Sequence, residues 1–376
     1  MAVSDFTISI PEERLAWIAR RIAEYEWHEA PARGGWIDGT NTDVLQELCA
    51  YWADGYDWRA MERHLNRLPH FTAPVPLADE TLPIHFIHLK SPKPDAMPLI
   101  LSHGWPGSFY EFDAIAEALA QDFHVVIPSL PGYAFSGKPA NPVGPRATAR
   151  AFNALMTAAL GYPRYAAQGG DWGSMVTSWL GAEHEACAAI HLNMMGFNKG
   201  VPSADQSDEE KQWRQKTRTG MDLEGAYFRL QSTKAQTLSY AMMDSPVGQA
   251  AWILEKFKTW SHLDGENVYS AYTKDQLLTN IMLYVATGSF NTASWMYRGF
   301  IEEMMAGAAN TPRVEVPTGV GNFPYDSIFS WPPRAVVERN YAVAHWTDMG
   351  EGGHFAAMER PSLFLADVRK FFTSLA

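Results

Sequence analysis

Asp171 stands at the centre of Gly169-Gly170-Asp171-Trp172-Gly173, between a stretch patterned as a strand and one patterned as a helix. Glycines on both sides suit a tight, strained turn that lifts the middle side chain above the edge of a sheet. In the G-x-S-x-G form of such a turn the raised residue is serine, which needs a base before it can attack. A carboxylate is already anionic. It can attack a saturated, electrophilic carbon directly, so aspartate here shifts the chemistry from acyl transfer to displacement at carbon. The competing reading is a helix N-cap, where aspartate is common because it accepts from free N–H groups.

Two further segments could serve that carboxylate. His103-Gly104-Trp105-Pro106-Gly107-Ser108 follows the apolar run ending at Leu101. A tight turn there aims a backbone N–H at the space over Asp171, and the N–H of Trp172 would complete a two-donor oxyanion hole. Taken alone, the segment is an ordinary strand-to-helix turn, and the isomer of the Trp105–Pro106 bond is open. Gly352-Gly353-His354-Phe355 comes late, after the last strand and before the final helix. The nucleophile–acid–base order of α/β hydrolases puts the base there. Its orienting acid should follow the preceding strand, as Asp326 does in Phe323-Pro324-Tyr325-Asp326. Asp348 and Glu351 share the loop of His354, too close in sequence to reach its far nitrogen, and Glu338 falls on a helix.

These groups meet only if the elements come in a particular order. Pro11, followed by Glu12 and Glu13, opens a helix whose Leu15, Ile18, Ala19 and Ile22 share one face. Residues 27–42 read as a turn-rich meander and 44–68 as helix again. Residues 84–89 alternate like a strand, while 98–101 and 125–127 are apolar runs suited to a sheet buried on both faces, with helix over 108–120 between them. Helix at 148–160, strand at 165–168, helix at 172–183 and strand at 190–194 continue the alternation. The pattern predicts a mainly parallel, doubly wound α/β sheet. From 198 to 310 it stops, and Trp213, Trp252, Trp260 and Trp295 lie among helix formers, which predicts an all-helical insertion. Strands return at 314–316 and 342–346, and a helix over 361–375 closes the chain. The expected organisation is an N-terminal extension (1–80), half of an α/β core (81–197), a helical cap or lid (198–310) and the rest of the core (311–376).

Composition narrows the class. The 376 residues carry 30 Lys+Arg against 42 Asp+Glu, a net charge of −12, which argues against nucleic acid as a partner. With 47% hydrophobic residues the chain can bury a large core, so disorder is excluded. The two cysteines, Cys49 and Cys187, cannot build a disulfide framework and point to a reducing cytoplasm. The first residues hold neither an apolar signal core nor a membrane-length stretch, so a soluble protein is expected. No spacing such as H-E-x-x-H suggests a metal site, and neither metal nor organic cofactor is expected.

The chain resembles the epoxide hydrolases of the α/β-hydrolase superfamily, in the microsomal and juvenile-hormone branch with its soluble bacterial and fungal members. The similarity runs over essentially the whole length. Phe6-Thr7-Ile8-Ser9-Ile10-Pro11 and the helix after it are similar to that branch's N-terminal extension, and residues 103–112 to its oxyanion segment. Pro131-Gly132-Tyr133-Ala134-Phe135-Ser136 is similar to its loop after the next strand. Gly170-Asp171-Trp172-Gly173 and Gly353-His354-Phe355 match its nucleophile and base motifs. Where this chain has Asp326 the family often has glutamate.

The resemblance implies hydrolysis of an epoxide through a covalent ester on Asp171, with His354 and Asp326 as base and orienting acid. It also implies two lid tyrosines that grip the epoxide oxygen, matched by Tyr227 in Gly225-Ala226-Tyr227-Phe228 and Tyr297 in Ser294-Trp295-Met296-Tyr297. Phenols suit the task, because ring opening creates an alkoxide that a neutral O–H can stabilise and protonate. Tyr240, Tyr269, Tyr272 and Tyr284 read as packing residues, and Asp208-Glu209-Glu210 as solvated loop. The implied partners are a small apolar epoxide and water, without a stable membrane anchor; a homodimer is the default assembly. A haloalkane dehalogenase would share Asp171, Asp326 and His354 and could offer the Trp105 and Trp172 side chains to halide. A serine esterase would have to use Ser174, three residues past the elbow. A non-catalytic binding module would be expected to have lost one of these groups.

Overall fold

Each strand edge that could carry chemistry belongs to one nine-stranded sheet in the computed structural model, which describes residues 1–308, 311–326 and 330–375. The strands are β1 (Ser4–Phe6), β2 (His70–Leu77), β3 (Glu80–Leu89), β4 (Pro98–Ser102), β5 (His124–Pro128), β6 (Tyr165–Gly169), β7 (Cys187–Leu192), β8 (Val314–Asn322) and β9 (Tyr341–Asp348). Their spatial order is β1-β2-β3-β5-β4-β6-β7-β8-β9. The pairs from β1 to β3 and on to β5 are antiparallel, and every pair from β5 across to β9 is parallel. Leu99, Ile100, Val125, Val126 and Ile127 in the middle are fully buried, as continuous apolar runs require.

Before the central strands come α1 (Glu12–Ala23), α2 (Thr42–Asp54) and α3 (Trp58–Leu65). Between strands lie α4 (Ala116–Leu119), α5 (Pro145–Ala154) and α6 (Asp171–Glu183). Among the described residues between β7 and β8 lie the α-helices α7 (Asp208–Glu224), α8 (Ala226–Asp244), α9 (Pro246–Trp260), α10 (Lys274–Val285) and α11 (Phe290–Glu303). The predicted end of this insertion, residues 309–310, lies outside the described residues. The chain closes with α12 (Arg334–Asn340), α13 (Ala356–Glu359) and α14 (Pro361–Thr373). Side chains of the N-terminal segment brace the insertion: Thr40 Oγ1 donates to the Ala251 carbonyl at 2.6 Å, and Tyr56 and Thr279 hydroxyls meet at 3.0 Å.

Several sequence expectations are corrected. Strands β1 and β2 are additions to the expected sheet, and β2 carries Pro74 and Pro76, a residue type that interrupts a central strand. β1 pairs only with residues 70–72, so the edge beyond is open and proline's missing N–H costs no ladder bond there. The helix expected over 44–68 is two, broken at residues 55–57, where Asp57 caps α3 by accepting from Ala60 N. The one expected over 108–120 is a 3-10 turn (Phe109–Phe112), with Ser108 Oγ accepting from Tyr110 N at its start, followed by the short α4. Ala19 is exposed, leaving Ile18 and Ile22 as the buried positions of α1. Residues 208–210 are not loop but the first turn of α7, capped by Ser207, and Glu210 is buried against Arg214 and Arg339. Tyr240 does not pack; it is exposed.

Candidate active site

Asp171 is the first residue of α6 and holds φ at +48°, a left-handed conformation that costs a non-glycine residue energy and is kept only where the surroundings enforce it. The crowding is visible at two glycines. A Cβ on Gly173 would lie 1.9 Å from the Ser102 carbonyl oxygen, and one on Gly104 would lie 2.0 Å from Asp171 Oδ1. The carboxylate does not cap its own helix: Oδ1 accepts from the backbone N–H of Trp105 at 2.8 Å. Ser174 Oγ donates back to the Asp171 carbonyl at 2.6 Å and is buried, which leaves it no access to a substrate.

His354 connects the elbow to the expected acid. Its Nε2 lies 3.2 Å from Asp171 Oδ2, and its Nδ1 lies 2.7 Å from Asp326 Oδ2. Burial acts to lower the imidazole pKa, but the charges and hydrogen bonds of Asp326 and Asp171 outweigh it and hold the group well above its usual value. The structure therefore brings Asp171, His354 and Asp326 into one chain, with residues from β6–α6, the loop before α13 and the loop after β8.

The segment after β4 is held from several sides. Leu130 N–H donates to His103 Nε2 at 3.1 Å, so Nδ1 carries the proton and donates to the Gly104 carbonyl at 3.0 Å. Burial pushes His103 down to about 4, and the ring stays neutral. The Trp105–Pro106 bond is cis. From α10, Asn280 Nδ2 donates to the Pro106 carbonyl at 2.7 Å and Tyr284 to the Gly107 carbonyl at 2.6 Å. These bonds fix the amide of Trp105 over Asp171. Trp172, the other expected donor, follows Asp171 directly at the start of α6.

Tyr227 on α8 and Tyr297 on α11 are both buried and face the same space, with ring centroids 5.9 Å apart. Tyr227 stacks on Trp105 at 5.4 Å, and Tyr297 meets Trp172 edge-on at 4.8 Å. Burial, reinforced by the Asp171 charge, raises both phenols well above the usual value, so they remain O–H donors. Asp171, Tyr227 and Tyr297 line one cavity of about 160 Å³, walled by Trp172, Phe228, Phe300, Met175, Met194 and Met195.

Sequence reasoning missed four groups here. Asn280 is one. Lys256 is buried with its Nζ 4.7 Å above the Tyr227 ring, paired with Glu255 at 2.6 Å. Glu111 is pushed up to about 8, mainly by burial, with His354 opposing and Asp171 adding to the rise. Glu359 is buried beside the His354 loop. Glu111 and Glu359 lie within eight residues of Gly104 and His354, so proximity to a motif was the available signal.

A mainly parallel sheet whose strand-to-helix elbow carries a carboxylate fits the α/β-hydrolase class, and comparison with known proteins narrows that class. The family model described as alpha/beta hydrolase fold matches residues 97–292, and the one described as Epoxide hydrolase N terminus matches residues 3–112. Epoxide hydrolase 1 of Sus scrofa is 33% identical, the match covering 98% of this chain and 88% of that protein. The solved structure of Aspergillus niger epoxide hydrolase is similar at 31% identity and a TM-score of 0.87, over 100% of this chain and 97% of that one. Juvenile hormone epoxide hydrolase from the silkworm Bombyx mori matches at 29% identity and a TM-score of 0.87, over 99% and 94%. The chain belongs to the epoxide hydrolases. Among the described residues no helix is long and apolar enough to cross a membrane.

Proposed function

We propose that this enzyme hydrolyses a compact apolar epoxide in two steps through an ester on Asp171. An Asp171 oxygen attacks one ring carbon and the C–O bond opens. The leaving oxygen, held by Tyr227 and Tyr297, takes a phenolic proton and becomes a hydroxyl. Water then attacks the Asp171 carbonyl carbon while His354 Nε2 takes its proton. The Trp105 and Trp172 N–H groups stabilise the tetrahedral oxyanion. As the ester breaks, imidazolium protonates the departing oxygen, and the carboxyl proton left on Asp171 balances the one the phenol gave.

The observation that carries this reading is the unbroken chain Asp171–His354–Asp326, at 3.2 and 2.7 Å, beneath a cavity roofed by two phenols. The charges also suggest an order to the steps. While Asp171 is an anion, it and Asp326 keep His354 protonated. Ester formation neutralises Asp171 and removes one of those charges; the imidazolium then passes its proton to the phenolate left in the lid and is free to act as a base, and the carboxyl proton left on Asp171 at the end recharges it. The apolar walls and the volume of about 160 Å³ support a small hydrophobic substrate. Cys49 and Cys187, both free and buried, fit a cytoplasmic setting. The domain limits read from the sequence stand in this proposal, with α7–α11 as the lid.

The test is His354→Ala. Intact-protein mass spectrometry should show an adduct equal in mass to the epoxide, with turnover down about 10²–10⁴-fold. No adduct with an epoxide that binds would contradict the scheme.

A further inference from the structure

Glu359, the last residue of α13, touches neither Asp171 nor the cavity, yet its carboxylate is buried and accepts three backbone N–H bonds. Oε2 takes Gly353 N at 2.8 Å and His262 N at 2.7 Å; Oε1 takes Phe355 N at 2.9 Å. Gly353 and Phe355 flank His354. The amide of His354 itself donates to the Trp260 carbonyl at 2.9 Å, and that of Gly352 to His262 Nδ1 at 3.1 Å. Four successive amides of the loop are thus pinned, two by Glu359 and two by the chain that leaves α9. His262 also stacks on Tyr325, next to Asp326, with ring centroids 3.6 Å apart. One carboxylate therefore ties together the base loop and the lid segment that touches the acid loop.

We propose that Glu359 is a positioning residue for His354: by holding the amides on both sides of the imidazole, and the end of α9, it sets the 3.2 Å approach to Asp171 on which ester hydrolysis depends. Ring opening needs Asp171 and the two phenols and does not use this loop, so the two half-reactions should separate. Glutamine cannot replace Glu359, because its NH₂ group would face an N–H where the carboxylate offers a second acceptor. Aspartate keeps both acceptors on a shorter stem and should restore part of the effect.

The inference rests on the two-step reading above, and single-turnover kinetics on Glu359→Gln, Glu359→Asp and His354→Ala keep the two apart. In Glu359→Gln the hydrolysis rate constant should fall about 10²-fold, the scale of a misplaced catalytic group, with ester formation changed less than about 3-fold. The alkylated protein should then accumulate at steady state, and Glu359→Asp should fall between Glu359→Gln and wild type. Equal losses in both half-reactions, or no loss in hydrolysis, would overturn the role. If Glu359→Gln does not fold, the same split must appear in Glu359→Asp, and its absence there overturns the proposal. An adduct in His354→Ala but not in the Glu359 variants defeats the Glu359 role alone; no adduct in His354→Ala defeats the two-step reading.

Discussion

His354 meets Asp326 at 2.7 Å and His191 meets Asp367 at 2.9 Å, and all four side chains are buried, so by type, distance and burial the pairs look alike. They differ in what lies beyond. Asp367 has both oxygens occupied: Oδ2 by His191, and Oδ1 by His345 at 2.7 Å and Thr347 Oγ1 at 2.6 Å. Burial alone would raise its pKa, but His191, Thr347 and His345 together hold it at about 2. That pair, among Phe364, Phe371 and Phe372, joins β7 and β9 to α14. The His354 pair instead hands its second ring nitrogen to Asp171, on a strained crest that lines a cavity. The His354 pair thus reaches, through Asp171, a space that a substrate could enter, while the His191 pair fastens α14 to the sheet.

Three changes press on that distinction. The largest expected effect comes from Tyr227→Phe with Tyr297→Phe, which should slow ring opening by about 10⁴-fold, against about 10²-fold for either alone, measured by rapid-quench formation of the ester. An unaffected double variant would remove the phenols from the mechanism. Next, Gly104→Ala places a methyl 2.0 Å from Asp171 Oδ1 and should cost about 10²-fold in kcat/KM while the circular dichroism of the fold is retained. The smallest effect is Asp367→Asn. Because the folded pKa is depressed to about 2 from 3.8, the carboxylate's contribution is present above pH 3.8 and is lost as pH falls through about 2. Urea titrations should show a loss of about 2 kcal/mol near neutrality that vanishes near pH 2, with kcat unchanged. A fall in kcat for the folded variant would break the contrast between the two pairs.

The parts of the site that sequence disclosed are those with a local or topological signature. A glycine-flanked carboxylate between strand and helix marks Asp171, and chain order after the last strands marks His354 and Asp326. Tyr227 and Tyr297 came only from family resemblance, since Tyr284 is as deeply buried and no local pattern separates them. Glu359 had only its nearness to the His354 motif as a signal, and Lys256 had none. One of the three amides that Glu359 binds is that of His262, 97 residues away, and Lys256 sits over the face of a ring on a different helix. The same limit hid β2, whose prolines look like breaks until the open edge beside them is known.

In the proposed reaction the epoxide carbon bonds first to Asp171 and not to water. One turnover of the wild-type enzyme in excess over epoxide, run in ¹⁸O-water, reads this directly. An ester intermediate puts ¹⁸O into the Asp171 carboxylate, found by peptide mass spectrometry, and leaves the first diol unlabelled. Label in that diol with none in Asp171 would mean direct attack by water and would contradict it.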